Sequence, residues 1–158
     1  MEELSPSARR VQEALEGFGL PYRVMELPQS TRSAAEAAQA VGCSLGQIAK
    51  SIVFRAKESD RPVLVIASGS NRIDEERVAA IIGEPLEKAA PSFVRERTGF
   101  AIGGVPPVGH LERLPTFIDE DLLQHSEIWA AAGTPHAVFK IAPADLVRVT
   151  GGRVIAVS

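Results

Sequence analysis

Two short runs of β-branched and aromatic residues, separated by a polar link, constrain the fold of this chain more than any other feature. The first run covers residues 51–54 and the second covers residues 63–67, and the link between them covers residues 57–62. Runs of this composition are typical of strands, and a short polar link between two of them is typical of a hairpin. We therefore predict two adjacent central strands in one sheet.

Helix and strand signals surround this hairpin and predict a mixed α/β fold. Ser5 followed by Pro6 has the pattern of an N-cap and a first helical turn, and residues 33–36 and 44–47 have the spacing of capping boxes. Further helices are predicted to begin at Asp74, Ser92 and Pro143. Further strands are predicted over residues 22–27, 116–118, 128–131, 137–141 and 154–157. Short helices should flank a largely central sheet.

The length of the chain predicts one domain that spans residues 1–158. No apolar run approaches the roughly 20 residues that cross a bilayer, and the N-terminus has no apolar signal core. We therefore expect no membrane partner and a cytoplasmic protein. Cys43 is the only cysteine, which excludes an internal disulfide and a thiolate zinc cluster and favours a buried, unreactive thiol.

Charge and the absence of standard motifs exclude several classes of function. The 17 Lys and Arg residues against 20 Asp and Glu residues give a net charge of −3, which argues against binding along a long phosphate track. A brief contact with one end of an RNA fits this charge. The sequence contains no nucleophile elbow, P-loop, HExxH motif or Rossmann fingerprint, so we expect no metal and no cofactor.

Lys50 is the first candidate site residue, because it lies between an apolar helix end and an apolar strand start. One interpretation is a surface lysine whose stem covers apolar residues. The other is an ammonium group that points into a pocket and holds a phosphate or a polarised carbonyl.

The segment GFAIGGVPPVGH, residues 99–110, is the second candidate. Its glycines and prolines exclude a regular helix, although a short apolar strand can precede the turn. Gly103 and Gly104 can bring backbone N–H groups close to a bound oxyanion, while Pro106 and Pro107 stiffen the loop. An ordinary tight turn explains the same residues.

Histidines beside Gly and Pro turns are the third candidates. His110 is the last residue of the segment 99–110, the glycine-rich loop, and the turn 133–136 joins Thr134 to His136. Each histidine could face a common cleft or serve only as a structural residue. His125, in a polar stretch, is expected at the surface.

Four segments together resemble the YbaK/ProX family of aminoacyl-tRNA deacylases, which is related to the editing insertion domain of bacterial prolyl-tRNA synthetases. They are IAKSIVF around Lys50, SGSNRID at 68–74, TGFAIGGVPPVGH at 98–110 and AAGTPHAVFKI at 131–141. The resemblance runs from about residue 8 to the C-terminus. It implies a strongly bent, barrel-like sheet and an enzyme that hydrolyses the ester between a wrong amino acid and the terminal adenosine of tRNA.

The resemblance also implies the partners and the substrate. They are the acceptor end of a tRNA mischarged with a small amino acid such as Ala, Ser, Thr or Cys, and, as a further partner, an aminoacyl-tRNA synthetase. An aminoacyl ester is already activated, so a site needs only to position water or a ribose hydroxyl and to stabilise the oxyanion. A non-catalytic RNA- or protein-binding module on the same fold is the alternative.

The family's motifs align with particular residues of this chain. Its lysine falls on Lys50, its GxxxP loop on residues 103–107, and its late turn on residues 133–136. Pro106 stands where several relatives carry Ser or Thr. The implied roles are as follows: Lys50 orients the phosphate or carbonyl, and the N–H groups of Gly103 and Gly104 stabilise the oxyanion.

The other candidates are expected to bind the substrate: Pro106, Pro107, His110, Thr134 and His136. Of these, Thr134 and His136 are expected to shape the selection of the amino acid. We also expect Lys50, the loop and His136 to converge on one pocket, although they lie far apart in the sequence.

Overall fold

Residues 3–158, as described by a computed structural model, form five α-helices around an eight-stranded mixed sheet. The helices are α1 (Pro6–Gly17), α2 (Ala34–Val41), α3 (Glu75–Ile82), α4 (Pro91–Thr98) and α5 (Pro143–Thr150). The strands are β1 (Met25–Glu26), β2 (Ile48–Ala56), β3 (Pro62–Ser68), β4 (Leu86–Lys88), β5 (Thr116–Asp119), β6 (Ile128–Ala131), β7 (Ala137–Ile141) and β8 (Arg153–Ile155). Two 3₁₀ helices cover Leu45–Gln47 and Glu120–Gln124. The mixed α/β prediction is confirmed.

Most helix starts follow the capping residues in the sequence. Ser5 precedes α1 with Pro6 in its first turn, and the Ser33 hydroxyl accepts the N–H of Glu36 at 3.1 Å at the start of α2. The Asp74 carboxylate accepts the N–H of Arg77 at 3.2 Å and caps α3. Helix α4 begins at Pro91 instead of the predicted Ser92, because proline with its preset φ occupies the first turn.

The predicted hairpin is confirmed and forms the centre of the sheet. Strands β2 and β3 pair antiparallel from Ala49 with Ser68 to Arg55 with Pro62. The strand order is β1-β7-β6-β2-β3-β5-β8, and β4 pairs separately with β2. The pairs β3–β5, β5–β8 and β2–β6 are parallel.

The first strand is shorter than predicted. Only Met25–Glu26 pairs, with β7, whereas the prediction covered residues 22–27. Helix α1 binds the preceding backbone instead: the Gln12 side chain accepts the N–H of Val24 at 2.8 Å and donates to the carbonyl of Tyr22 at 3.1 Å. The structure differs from the sequence prediction at two further places. Strand β4 was not predicted, and the segment 99–110 forms turns without the short strand that could precede them.

The two faces of β2 pack against different parts of the core. Ala49 and Val53 belong to the largest buried cluster, which also contains residues of α1 and of the glycine-rich segment. Phe54 and Ala56 belong to a second cluster, with α3 and β8. Because side chains alternate along a strand, Ser51 lies on the face of Ala49 and Val53, and Lys50 lies on the other face.

One edge of β2 is left open in its middle. Strand β3 occupies the first edge along almost its whole length. On the second edge, β6 pairs only with residues 48–49 and β4 only with residues 54–56. Among the described strands, none pairs with residues 50–52 on that edge, so the sheet splits there and exposes the main chain of β2.

No helix within residues 3–158 has the length and apolar character that crossing a membrane requires.

Candidate active site

A cleft of about 320 Å³ lies at the open edge of β2. Its walls come from β2, from the segment before α2, from β6 and from the glycine-rich loop. The residues of the loop and of β2 that line it are Ile48, Ala49, Lys50, Ser51, Ile52, Ile102, Gly103, Gly104 and Val105. The structure therefore brings Lys50 together with Gly103 and Gly104, as the sequence predicts.

Lys50 is half-buried and its ammonium has a defined position. The Nζ atom donates to the carbonyl oxygen of Asn71 at 2.8 Å. Burial lowers the pKa of Lys50, the nearby Asp119 carboxylate raises it, and Lys88 lowers it further. One hydrogen bond leaves the ammonium with donor capacity for a ligand.

A buried polar network holds the acceptor of Lys50 in place. The Asn71 amide donates to Asp119 at 2.8 Å and to Asp121 at 2.7 Å. Asp119 is only 1% exposed and also accepts the N–H of Ser68 at 3.0 Å. The network thus links the end of β3 to the end of β5 and fixes the loop that orients Lys50.

The glycine-rich loop needs glycine at two successive positions for different reasons. Gly103 has a φ of 97°, a left-handed conformation that glycine adopts without strain. A Cβ on Gly104 would lie 2.7 Å from the backbone of Thr134, so only glycine fits there. The Gly104 carbonyl also accepts the N–H of Gly133 at 2.8 Å. The loop is therefore packed directly on the turn 133–136.

The two glycine N–H groups are not equivalent. The N–H of Gly104 already donates to the carbonyl of Ala101 at 3.2 Å, so it is not free for an oxyanion in this conformation. The N–H of Gly103 has no acceptor among residues 3–158. The geometry therefore favours Gly103 over Gly104 as an oxyanion donor, and places Gly104 in a packing role.

Arg10 and His110 hold the loop from the side of the core. The Arg10 guanidinium donates to the carbonyls of Gly99 at 3.1 Å and Gly109 at 3.4 Å, and it lies over the Phe100 ring at 4.4 Å. The Nε2 atom of His110 lies 2.6 Å from the Pro106 carbonyl oxygen, to which the ring N–H donates. Both ends of the loop are thereby anchored.

The remaining candidates do not line the cleft. Pro106 is buried inside the loop, and Pro107 and His110 line a separate cavity on the far side. Thr134 lies behind Gly104, and the exposed His136 ring approaches the Gln29 carbonyl at 2.9 Å. The expected convergence holds for Lys50 and Gly103 but not for His136, because the turn 133–136 faces the back of the loop. A contact between these residues and a substrate stays a prediction.

We expect the stability of the protein to fall below about pH 6.5 through His110. Burial lowers the pKa of His110 from its ordinary value of 6.5; the hydrogen bond to Pro106 opposes this and Arg10 adds to it. The unfolded state then binds a proton at His110 more readily than the folded state does. The stabilisation that comes from neutral His110 is therefore complete above the pKa of the unfolded state and is lost as the pH falls below it. Between pH 7.5 and 5, the Tm of the wild type should fall more steeply with pH than the Tm of His110→Gln. Equal slopes would contradict a neutral, buried His110.

The charged residues that line the cleft have one sign. Arg32 and Lys50 are its only charged lining residues within the described chain, and no carboxylate lines it. The exposed Arg32 side chain lies against Gly103, where an added Cβ would be 3.0 Å from its Nε atom. A cleft with two cations and no acid favours an anionic ligand.

Four residues of this region were not predicted from the sequence: Arg32, Ser51, Asn71 and Asp119. Asn71 lies in the SGSNRID segment that carries part of the resemblance, so the segment was found but not the role of its residue. Arg32 precedes a capping box and has no signal of its own. Asp119 and Ser51 reach the site only through the register of the sheet.

Residues 28–149 match the family described as the aminoacyl-tRNA editing domain. The chain belongs to this family. A solved structure described as "a putative trans-editing enzyme for prolyl tRNA synthetase" is 54% identical, covers 99% of both chains and superimposes with a TM-score of 0.93. The resemblance to the YbaK-like editing domains and the predicted fold are thereby confirmed.

Two curated relatives differ in how much of their own length this chain matches. "Putative Cys-tRNA(Pro)/Cys-tRNA(Cys) deacylase EbsC" of Enterococcus faecalis is 27% identical over 142 residues, which are 88% of this chain and 86% of the relative. A proline–tRNA ligase of Limosilactobacillus fermentum is 34% identical over 91 residues, which are 55% of this chain but only 16% of the ligase. The editing domain is thus similar both to a small deacylase and to part of a synthetase.

Proposed function

We propose that this editing domain hydrolyses the ester of mischarged aminoacyl-tRNA in trans. The observation that carries the proposal is the cleft itself. Two cations, an open strand edge and the N–H of Gly103, which has no acceptor within residues 3–158, meet there, and no carboxylate of these residues lines it. The near-complete match to a chain described as a trans-editing enzyme supports action without an attached synthetase. A synthetase remains the proposed partner that supplies the substrate.

The terminal nucleotide of tRNA fits the charge of the cleft. Its phosphate is an anion, and Arg32 and Lys50 are the cations that face it. Only the acceptor end needs to dock, which agrees with a chain whose net charge is −3. The contact therefore requires no extended basic surface.

The proposed chemistry uses an activated ester and needs no protein nucleophile. Water, oriented with the help of the neighbouring ribose hydroxyl, attacks the ester carbonyl carbon. The C–O bond to the ribose then breaks, the water oxygen stays on the acyl carbon, and the ribose oxygen takes up the proton that the water loses. Lys50 orients the phosphate or the carbonyl, and the Gly103 N–H donates to the developing oxyanion. Pro106, Pro107 and His110 keep the loop rigid, and Thr134, which packs behind Gly104, shapes amino-acid selection together with His136.

The test is a panel of tRNAs that carry Ala, Ser, Thr, Cys or Pro. We expect the protein to deacylate at least one mischarged tRNA and to spare prolyl-tRNA; the name of the Enterococcus relative puts Cys first among the candidates. Binding of tRNA without hydrolysis of any ester in the panel would favour the non-catalytic RNA-binding module. Lack of both would refute the proposal.

A further inference from the structure

A side chamber of about 210 Å³ opens next to the cleft. The two share five lining residues, namely Ser51, Ile52, Ile102, Gly103 and Val105. The chamber's other lining residues are Val53, Lys88, Ala89 and Val94. An ester held beside Gly103 in the cleft therefore has the chamber within reach of its acyl group.

Ser51, which lines both the cleft and the side chamber, has a hydroxyl without a hydrogen-bond partner in the described chain. Ser51 lies on the face of β2 that packs into the main core, between Ala49 and Val53. Its Oγ atom is buried, and no hydrogen-bond partner lies within reach in the described chain. A buried polar atom without a partner is unfavourable and uncommon. Ser51 lines both cavities, so a ligand held in either one lies next to the residue whose hydroxyl lacks a partner.

The rest of the chamber is apolar on the side of Ser51. Val53, Ala89, Val94 and Val105 all belong to the main core cluster. Lys88, which also lines the chamber, is exposed to solvent. A single hydroxyl among apolar walls can satisfy one small polar group, but a cationic side chain would remain unpaired there.

We propose that this side chamber receives the amino-acid side chain of the substrate, and that the Ser51 hydroxyl is the specificity-determining group that selects a hydroxyl or thiol on that side chain. The inference rests on the proposed function, because it assigns the acyl part of the same substrate. Seryl, threonyl and cysteinyl groups satisfy Ser51. An alanyl group fits the space but leaves the hydroxyl without a partner.

The test compares two amide analogues that cannot be hydrolysed, 3′-seryl- and 3′-alanyl-amino-3′-deoxyadenosine. We expect the wild type to bind the seryl analogue about tenfold more tightly, the change expected of one uncharged hydrogen bond. Ser51→Ala should abolish this preference by weakening only the seryl complex. It should not lower Tm, because the variant removes a buried hydroxyl that had no partner.

Ser5→Ala is the matched control. Ser5 Oγ is the other buried hydroxyl without a partner in the described chain, and it lines neither the cleft nor the chamber. This variant should leave the preference between the two analogues unchanged. Equal binding of both analogues by the wild type, or binding of neither, would overturn the assignment of the chamber. So would an equal loss of both complexes in Ser51→Ala.

Deacylation of seryl- and alanyl-tRNA separates this inference from the proposed function. Selective binding of the seryl analogue without turnover of any tRNA would refute the deacylase and leave the chamber assigned. Turnover with the same seryl-to-alanyl ratio of kcat/KM in the wild type and Ser51→Ala would refute the chamber and leave the deacylase.

Discussion

Replacing Lys50 by alanine is expected to reduce kcat/KM for deacylation by about 100- to 1000-fold, the usual effect of removing one donor that stabilises an oxyanion. Lys50 lines the cleft, and its ammonium has a fixed position because it donates a hydrogen bond to the Asn71 carbonyl oxygen at 2.8 Å. Burial lowers the pKa of this ammonium. Deacylation of the best substrate of the panel gives the measurement.

The stability of the Lys50→Ala variant should change little, because the half-buried side chain loses a single hydrogen bond. Lys50→Arg should not restore full activity, since a planar guanidinium differs in shape from an ammonium. Lys57→Ala, an exposed lysine in the β2–β3 hairpin, is the matched control and should retain wild-type turnover. Unchanged turnover in Lys50→Ala would remove this side chain from the mechanism.

Gly104→Ala is expected to damage both stability and activity. The added Cβ would lie 2.7 Å from the Thr134 backbone, which cannot move aside as a flexible side chain can. Overpacking of this kind costs about 1–3 kcal/mol, and each kcal/mol lowers Tm by roughly 2–4 °C in a chain of this size. Displacement of the neighbouring Gly103 by about 1 Å is expected to reduce turnover about 100-fold.

Gly17→Ala is the control for this variant. Gly17 ends α1, and no atom lies within 4 Å of the position of its added Cβ. The Tm and the turnover of Gly17→Ala should stay at the wild-type values. If Gly104→Ala matched Gly17→Ala in both measurements, the close packing of the loop on Thr134 would have no functional importance.

The elements of this fold could be predicted where one local signal decides the structure. Ser33 with Glu36 sets the start of α2, and the runs around residues 51–54 and 63–67 set the central hairpin. Strand β4 escaped prediction because its three residues form a strand only by pairing with the end of β2. Strand β1 is shorter than predicted for a similar reason, because a contact with a distant element decides its extent. The Gln12 side chain of α1 forms hydrogen bonds with the carbonyl of Tyr22 and the N–H of Val24.

The site could be predicted only in part. Lys50 and the glycines stood out by their residue types, and the structure places them around one cleft. His136 and Thr134 stood out equally, yet the turn that carries them faces the back of the loop. Sequence shows that a turn is present but not which of its sides a neighbouring loop will cover. Asp119 is at the site only because β5 lies parallel to β3, a long-range pairing that no local signal reports.

The open edge of β2 has a consequence for how this cleft tolerates change. Successive residues of a strand direct their peptide groups alternately to its two sides, and the Val53 carbonyl accepts the N–H of Ala89 at 3.3 Å on the side of the cleft. The N–H and C=O of Ser51, two residues earlier, therefore face the cleft as well. Every residue type except proline supplies these two groups. Related chains can therefore replace many side chains around the gap and keep this main-chain part of the site, so a search for matching side chains alone would overlook it.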